Sequence, residues 1–425
     1  GSAILIGSFT NLPRRILQSS QWRAIFAWDI GRAILRRSQL KHTTFIGVTG
    51  SSGKTTTKDL ATAILSQSAR CHSSTRSSNN SRAVARTVLN TQHDNQYCVI
   101  EITGSFRNAM TWPLRIVRPH IGVITVIQRE HATGKFDLAA VAEEKSKLVR
   151  SLPPGGTAVL NVDDPFLAQL QVSDKQTIVW FGRKKEATVR LREASSVWPQ
   201  PLLLSVEIAG SKIEVETRLH GVHLATPILA ALGVAVAAGV NIEEAATAIS
   251  QVAPHEGRMQ VITEPDGVSF IRDDWKSPAW SLLAPLQFLK AAKAKRKIAV
   301  IGTISDYSLS ATKQYKKAAK QAREHADMVI FVGDHAHRAL RARTHPEDAS
   351  IQAFRTLREA SVYLQDHLVA GDLVLLKGSC KADHLQRLLL NRQQPIQCWD
   401  ERCGINDFCG ECPRLHGSAH AKAQA

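Results

Sequence analysis

Two clusters in this 425-residue chain combine residue types and spacings that suit chemistry. The first is FIGVTGSSGKTTTKDL, Phe45 to Leu60. A short apolar run enters a Gly/Ser loop, and Lys54 and Thr55 open a helix. Gly50 and Gly53 let the backbone N–H groups of Thr49, Ser51, Ser52 and Thr56 close around phosphate oxygens, and the helix dipole adds to the attraction. Lys54 can reach the β- and γ-phosphates of a nucleotide, and the Thr55 hydroxyl can ligate Mg²⁺. The strict phosphate-loop pattern requires Gly at position 48, where Val48 stands, and the upstream glycine is Gly47. The second cluster is CWDERCGINDFCGEC, in which Cys398, Cys403, Cys409 and Cys412 are spaced C-x4-C-x5-C-x2-C. Four thiolates this close suit tetrahedral Zn²⁺, with an iron–sulfur cluster as the second reading and no metal as the third. His416 and His420 are spare ligand candidates.

Positioning the first cluster requires strands and helices in alternation, and residues 43–253 read that way: TTFIGV, the loop, KTTTKDLATAILSQ, YCVIEIT, IGVITVI and TAVLNV. Such repetition predicts a parallel sheet with helices on both faces. Residues 176–219 turn β-rich and predict a meander on the sheet's edge. PHEGR, Pro254 to Arg258, reads as a linker. A second α/β unit follows to about residue 395 through VSFIRD, KIAVIGT, DMVIFVG, SIQAFRT and DLVLLKG. The fold class is thus α/β: a central unit with a parallel sheet behind the phosphate loop, a second α/β unit (254–395) and a Cys-rich tail (396–425).

Residues 1–42 are basic, with WRAIFAWDIGRAILRR as an amphipathic helix that either packs on the next unit or lies on an anionic surface. Lys plus Arg number 54 against 37 Asp plus Glu, a net charge of +17 that calls for anionic partners. No reader motif or aromatic–basic alternation accompanies it, so nucleic acid is not expected. Leu224 to Val240 is the longest uncharged run, and its Pro227, Gly233 and Gly239 favour a buried helix over a membrane span. Isolated Cys71, Cys98 and Cys380 suit a reducing cytoplasm.

TGSSGKTTT resembles the Mur ligase family, nearest its D-alanyl-D-alanine-adding branch, and further matches follow in register through residues 43–392. The resemblance implies an ATP- and Mg²⁺-dependent ligase, with a central P-loop ATPase domain and a C-terminal Rossmann-like domain, that joins a carboxylate to an amine through an acyl phosphate. It implies Mg²⁺ ligands at Glu101, in YCVIE, and at His131, in VIQREHATG. Lys145 matches a lysine that members carbamylate, with Lys147 as its rival in register, and NVDDP matches a recurring segment. Arg258 is implied to reach ATP phosphate from the hinge, and Asp273 to contact the ribose. Lys377 and Ser379, in KGSCK, lie where the amine would bind, and Asn79 and Asn80 in a loop facing the acid substrate.

Departures from the family pattern are concentrated around the base and ribose. Val126 and Gln128 replace an Asn and a Gly, His223, Leu224 and Pro227 replace an HN…N pattern, and Lys276 and Pro278 stand at Asn positions. The 42 residues before the loop are too few for the family's UDP-sugar domain, so a wall-building role is not expected. The substrates expected are a small-molecule or peptidyl carboxylate, anionic, and an amino acid or amine. Two rival readings stay open: a kinase or NTPase with a non-carboxylate acceptor, and a nucleotide-gated binding protein.

Overall fold

The computed structural model describes residues 14–128, 137–405 and 407–417, and in them the alternation becomes two sheets. The first comprises β1 (Thr44–Thr49), β2 (Cys71–Ser73), β3 (Tyr97–Glu101), β4 (Ile121–Ile124), β5 (Thr157–Asn161), β6 (Thr177–Gly182), β7 (Val189–Ser195), β8 (Leu203–Ile208) and β9 (Ser211–Glu216). Their order is β2-β3-β1-β4-β5-β6-β7-β8-β9. Neighbours from β2 to β7 are parallel, and β7, β8 and β9 form an antiparallel edge. The meander expected over 176–219 is therefore confined to its last three strands, because β6 joins the parallel core.

Alternation along β1 sends its side chains to opposite faces. Ile46 and Val48 pack with the helices Lys54–Leu65 and Ala225–Ala238. Phe45 faces the other layer, with Leu148 and Val149 of the helix Leu138–Arg150. Between them Gly47 does steric work: a Cβ there would lie 2.9 Å from Leu148 Cδ1. It is a strand glycine that admits the helix carrying Lys145, and not a displaced member of the phosphate loop.

The uncharged run after Leu224 is the helix Ala225–Ala238, whose Gly233 backs onto Val159. Among the described residues no helix is long and apolar enough to cross a membrane. The basic helix spans Arg14–Gln39. Its Ile30 and Ala33, with Leu40 just past its end, join the Phe45 layer, Arg36 donates to Thr91 O and Arg37 to Val117 O. From residue 27 onward the packed alternative describes it.

The second sheet comprises β10 (Gln260–Thr263), β11 (Ser269–Asp273), β12 (Arg296–Ile301), β13 (Met328–Val332), β14 (Ile351–Phe354) and β15 (Asp372–Lys377), ordered β10-β11-β15-β12-β13-β14. Only the β10–β11 pair is antiparallel, and buried apolar layers cover both faces. The functional residues read from the sequence sit at carboxyl ends of strands: the loop after β1, Glu101 on β3, Asp273 on β11 and Lys377 on β15. In open α/β sheets that is where ligands bind.

Candidate functional site

The loop after β1 is shaped by two residues in left-handed backbone, Gly50 (φ 144°) and Gly53 (φ 78°), the latter capping the helix Lys54–Leu65. A Cβ on Gly50 would fall 1.9 Å from Thr125 Oγ1, so only glycine fits against the end of β4. Residues 125–128 brace the loop from that side. Ser51 N donates to Val126 O, the Ser51 hydroxyl to Gln128 O, and the Thr125 hydroxyl to Ser52 O. Val126 and Gln128, which depart from the family pattern, contribute here through backbone carbonyls that any side chain leaves available. Asn161 and Asp164 of NVDDP hold this brace in turn, at Thr125 O (3.0 Å) and Ile127 N (2.7 Å).

Lys54 Nζ folds back to Gly50 O at 2.6 Å. The next residue carries the central contact: the Thr55 hydroxyl donates to Glu101 Oε2 at 2.8 Å, and Asn79 Nδ2 donates to Glu101 Oε1 at 2.7 Å. Glu101 is 1% exposed, and its own N–H is taken by Ser74 Oγ. A buried carboxylate held by a hydroxyl and an amide is a hard-oxygen donor set suited to Mg²⁺. Asn79, expected in a loop facing the acid substrate, positions Glu101, and Asn80 of the same loop caps the helix Ser81–Asn90 by accepting from Arg82 N and Ala83 N. The loop holding both is tied down by Lys58, whose buried Nζ donates to Ser74 O and Arg76 O. Neither Lys58 nor Ser74 carries a sequence signal, since each acts across a fold contact.

Lys145 is fully buried beside Gly104, three residues past Glu101, with Nζ 3.4 Å from Gly104 O. Its rival Lys147 is paired outward with Glu144 at 2.7 Å. Glu144 also receives Asn108 N and Met110 N, anchoring the 105–110 segment to the helix Leu138–Arg150. His131 lies outside the described residues.

At the hinge, Arg258 follows a turn closed by its N–H to His255 O, and its Nε is buried with no partner among the described residues. Thr49 Oγ1 is also buried without a partner. Asp273 and Lys377, expected in separate roles, form one ion pair of 2.7 Å. His223 stands next to it: burial holds its imidazole below the usual range, with Asp273 pulling up and Lys377 pushing down. Ser379 presents its N–H to Asp383, whose carboxylate also receives the Thr303 N–H and hydroxyl. Among the described residues no group of three or more His, Cys, Asp or Glu stands at metal-ligating geometry, in the tail as elsewhere.

The two sheets and the loop define an α/β protein with a phosphate-loop-like turn and its donor groups at strand ends. Residues 48–235 match the Mur ligase middle domain and residues 257–380 the Mur ligase glutamate ligase domain. The chain belongs to the Mur ligase family. It is 28% identical over 305 residues to the UDP-N-acetylmuramoyl-tripeptide–D-alanyl-D-alanine ligase of Mycobacterium tuberculosis, covering 68% of this chain and 58% of that relative. The enzyme of the same name from Bacillus subtilis is 25% identical over 340 residues, 79% of this chain and 73% of its own. MurF from Acinetobacter baumannii superposes with a TM-score of 0.78 at 26% identity, covering 84% of this chain and 78% of that one. The chain thus spans 58% of the length of the Mycobacterium tuberculosis and Mycobacterium bovis relatives it matches.

Proposed function

We propose that the protein is an ATP-dependent ligase that joins a carboxylate to an amine, releasing ADP and phosphate. The observation that carries this reading is the buried Thr55–Glu101–Asn79 cluster at the mouth of the Gly50–Gly53 loop, with Lys145 buried against Gly104, three residues past Glu101. A simple phosphate-binding turn needs no buried carboxylate. Thr49 Oγ1 and Arg258 Nε, buried without a partner among the described residues, are further polar atoms available to a triphosphate.

In this reading the loop N–H groups and Lys54 hold the phosphates, and Thr55 and Glu101 would hold Mg²⁺, which when bound would supply charge neutralisation at the phosphates. The substrate carboxylate oxygen bonds to the γ-phosphorus as the bond to the ADP oxygen breaks, giving an acyl phosphate. The amine nitrogen then bonds to the carbonyl carbon, phosphate leaves with the bonding pair, and the nitrogen loses a proton. Lys145, carbamylated, would present two oxygens where the ammonium presents none. Arg258 reaches the phosphates from the hinge, and closure excludes the water that would hydrolyse the acyl phosphate. The Asp273–Lys377 pair and Ser379 line the amine side. Zinc has no part in this chemistry.

For the amine, the relatives' names make D-alanyl-D-alanine the first candidate, and the acid is expected to be an anionic peptide or small molecule in the cytoplasm. The test is ADP release measured with fractionated carboxylate extracts, with and without D-alanyl-D-alanine and a panel of amino acids. Release that requires both an acid and an amine supports the ligase. Release that needs an acceptor without a carboxyl group would move the kinase reading ahead.

A further inference from the structure

The tail thiols share one small cavity, short of metal-ligating geometry: Cys398, Cys403, Cys409 and Cys412 line it, and His384 and Arg387 are also in its wall. Both ring nitrogens of buried His384 face sulfur: Nε2 is 3.2 Å from Cys403 Sγ and Nδ1 is 3.4 Å from Cys409 Sγ. Arg387 Nε donates to Cys409 Sγ at 3.2 Å. The C-x2-C pair is a closed turn, with Cys412 N donating to Cys409 O, and Cys398 N reaches Leu415 O to bring the first cysteine against the last turn. Ile396 and Leu415, both buried, and Trp399 pack around Cys409. Sequence spacing singled out the four cysteines; His384 and Arg387 join them only through the fold.

We propose that Cys398, Cys403, Cys409 and Cys412 bind one Zn²⁺, which displaces the four thiol protons and takes four thiolates in tetrahedral geometry. In the present contacts the thiols are protonated, and loading exchanges the four S–H bonds for Zn–S bonds of about 2.3 Å. Arg387 keeps its N–H on the Cys409 sulfur and its guanidinium offsets part of the dianionic charge, while neutral His384 donates through one ring nitrogen only. An iron–sulfur cluster would use the same four thiolates, so the metal analysis must distinguish the two.

The metal has a structural consequence that goes beyond the ligase reading and does not rest on it. Phe408, adjacent to Cys409, enters the hinge: its ring lies 5.2 Å from Trp275, 4.4 Å from the Arg272 guanidinium carbon, and against Gly257, where a Cβ would fall 2.2 Å from Phe408 Cζ. Asp407 pairs with Arg76 of the first unit. Cys409 N and Gly410 N both donate to Gln386 Oε1, and Gln386 Nε2 donates to Glu256 of the hinge. Two residues next to a metal ligand therefore touch both sides of the hinge, and zinc fixes the tail as a brace across it.

The test uses the full chain. After desalting, elemental analysis is expected to give one zinc per chain. The double variant Cys409→Ser/Cys412→Ser is expected to lose it, and Cys71→Ser to keep it. Arg387→Gln should weaken zinc affinity about tenfold without abolishing binding, as for a group that acts through a ligand. Chelation of the wild type should raise hydrogen exchange in peptides 254–259 and 270–276 and leave the helix Lys54–Leu65 unchanged. If the double variant does not fold, chelated wild type reloaded with Co²⁺ decides the matter by the thiolate charge-transfer and tetrahedral d–d absorption. A chain that takes up no zinc from zinc-containing buffer overturns the site, as does iron with acid-labile sulfide in its place, or full zinc retention by the double variant. Zinc binding without any change in hinge exchange on chelation overturns the brace.

Discussion

Lys377 Nζ lies 2.7 Å from Asp273 Oδ2, and the two residues are register partners at the carboxyl ends of β15 and β11. Lys377 is also held by Lys276 O at 2.9 Å. The strand pairing thus builds one neutralised charge pair out of two residues 104 positions apart, at the mouth of the second sheet. Removing the lysine alone leaves a carboxylate that is mostly buried without its partner. Lys377→Ala is expected to cost roughly 3 kcal/mol of stability, and adding Asp273→Asn to recover part of that loss. Denaturant unfolding of the two single variants and the double variant measures the coupling; additive losses would show that the pair is not a unit.

Gly50 and Gly47 fail differently when given a methyl group. At Gly50 the Cβ meets Thr125 and the φ of 144° disfavours any side chain, so Gly50→Ala is expected to abolish nucleotide binding. At Gly47 the nearest atom is the flexible end of Leu148, so Gly47→Ala costs about 1–2 kcal/mol and shifts the helix that carries Lys145. Nucleotide affinity by calorimetry and turnover separate the two: Gly47→Ala should keep binding and lose rate.

Burial distinguishes Lys145 from Lys147 as the carbamate candidate. Turnover of the wild type is expected to fall in CO₂-depleted buffer and return with bicarbonate. Lys147→Ala should retain both the rate and its bicarbonate dependence, whereas Lys145→Ala should lose both. Bicarbonate dependence that persists in Lys145→Ala would assign the carbamate elsewhere.

Asp274 sits in the hinge beside Arg272, and burial pushes its carboxyl up to about 6 from 3.8 despite that partner. The folded chain therefore binds this proton more tightly than the unfolded chain between those values. Its contribution to stability is complete below about 3.8 and is lost as pH rises through about 6. Asp274→Asn should flatten the decline in stability across that interval, read from unfolding midpoints at fixed denaturant.

Much of this was legible because it is local. TGSSGKTTT names its own loop, strand and helix, and the alternation after Ser269 gives the second sheet strand by strand. What stayed hidden depends on long-range contacts. Asn79 lies 22 residues from the Glu101 it positions, and Thr125 about 75 from the loop it braces. Residues such as Ser74 and Lys58 look ordinary until the chain folds, since any Ser or Lys has the same donors. Val126 and Gln128 looked like losses because side-chain identity was compared, whereas their carbonyls bind Ser51.

The central claim is an acyl phosphate made at the Thr55–Glu101 site. Hydroxylamine trapping addresses it directly: protein, ATP, Mg²⁺ and fractionated metabolite extract are mixed, hydroxylamine replaces the amine, and hydroxamates are sought by mass spectrometry. A hydroxamate that forms with the wild type and is missing with Lys54→Ala is the predicted result, and it identifies the acid at the same time. Phosphate release across every fraction without any hydroxamate would contradict carboxylate activation.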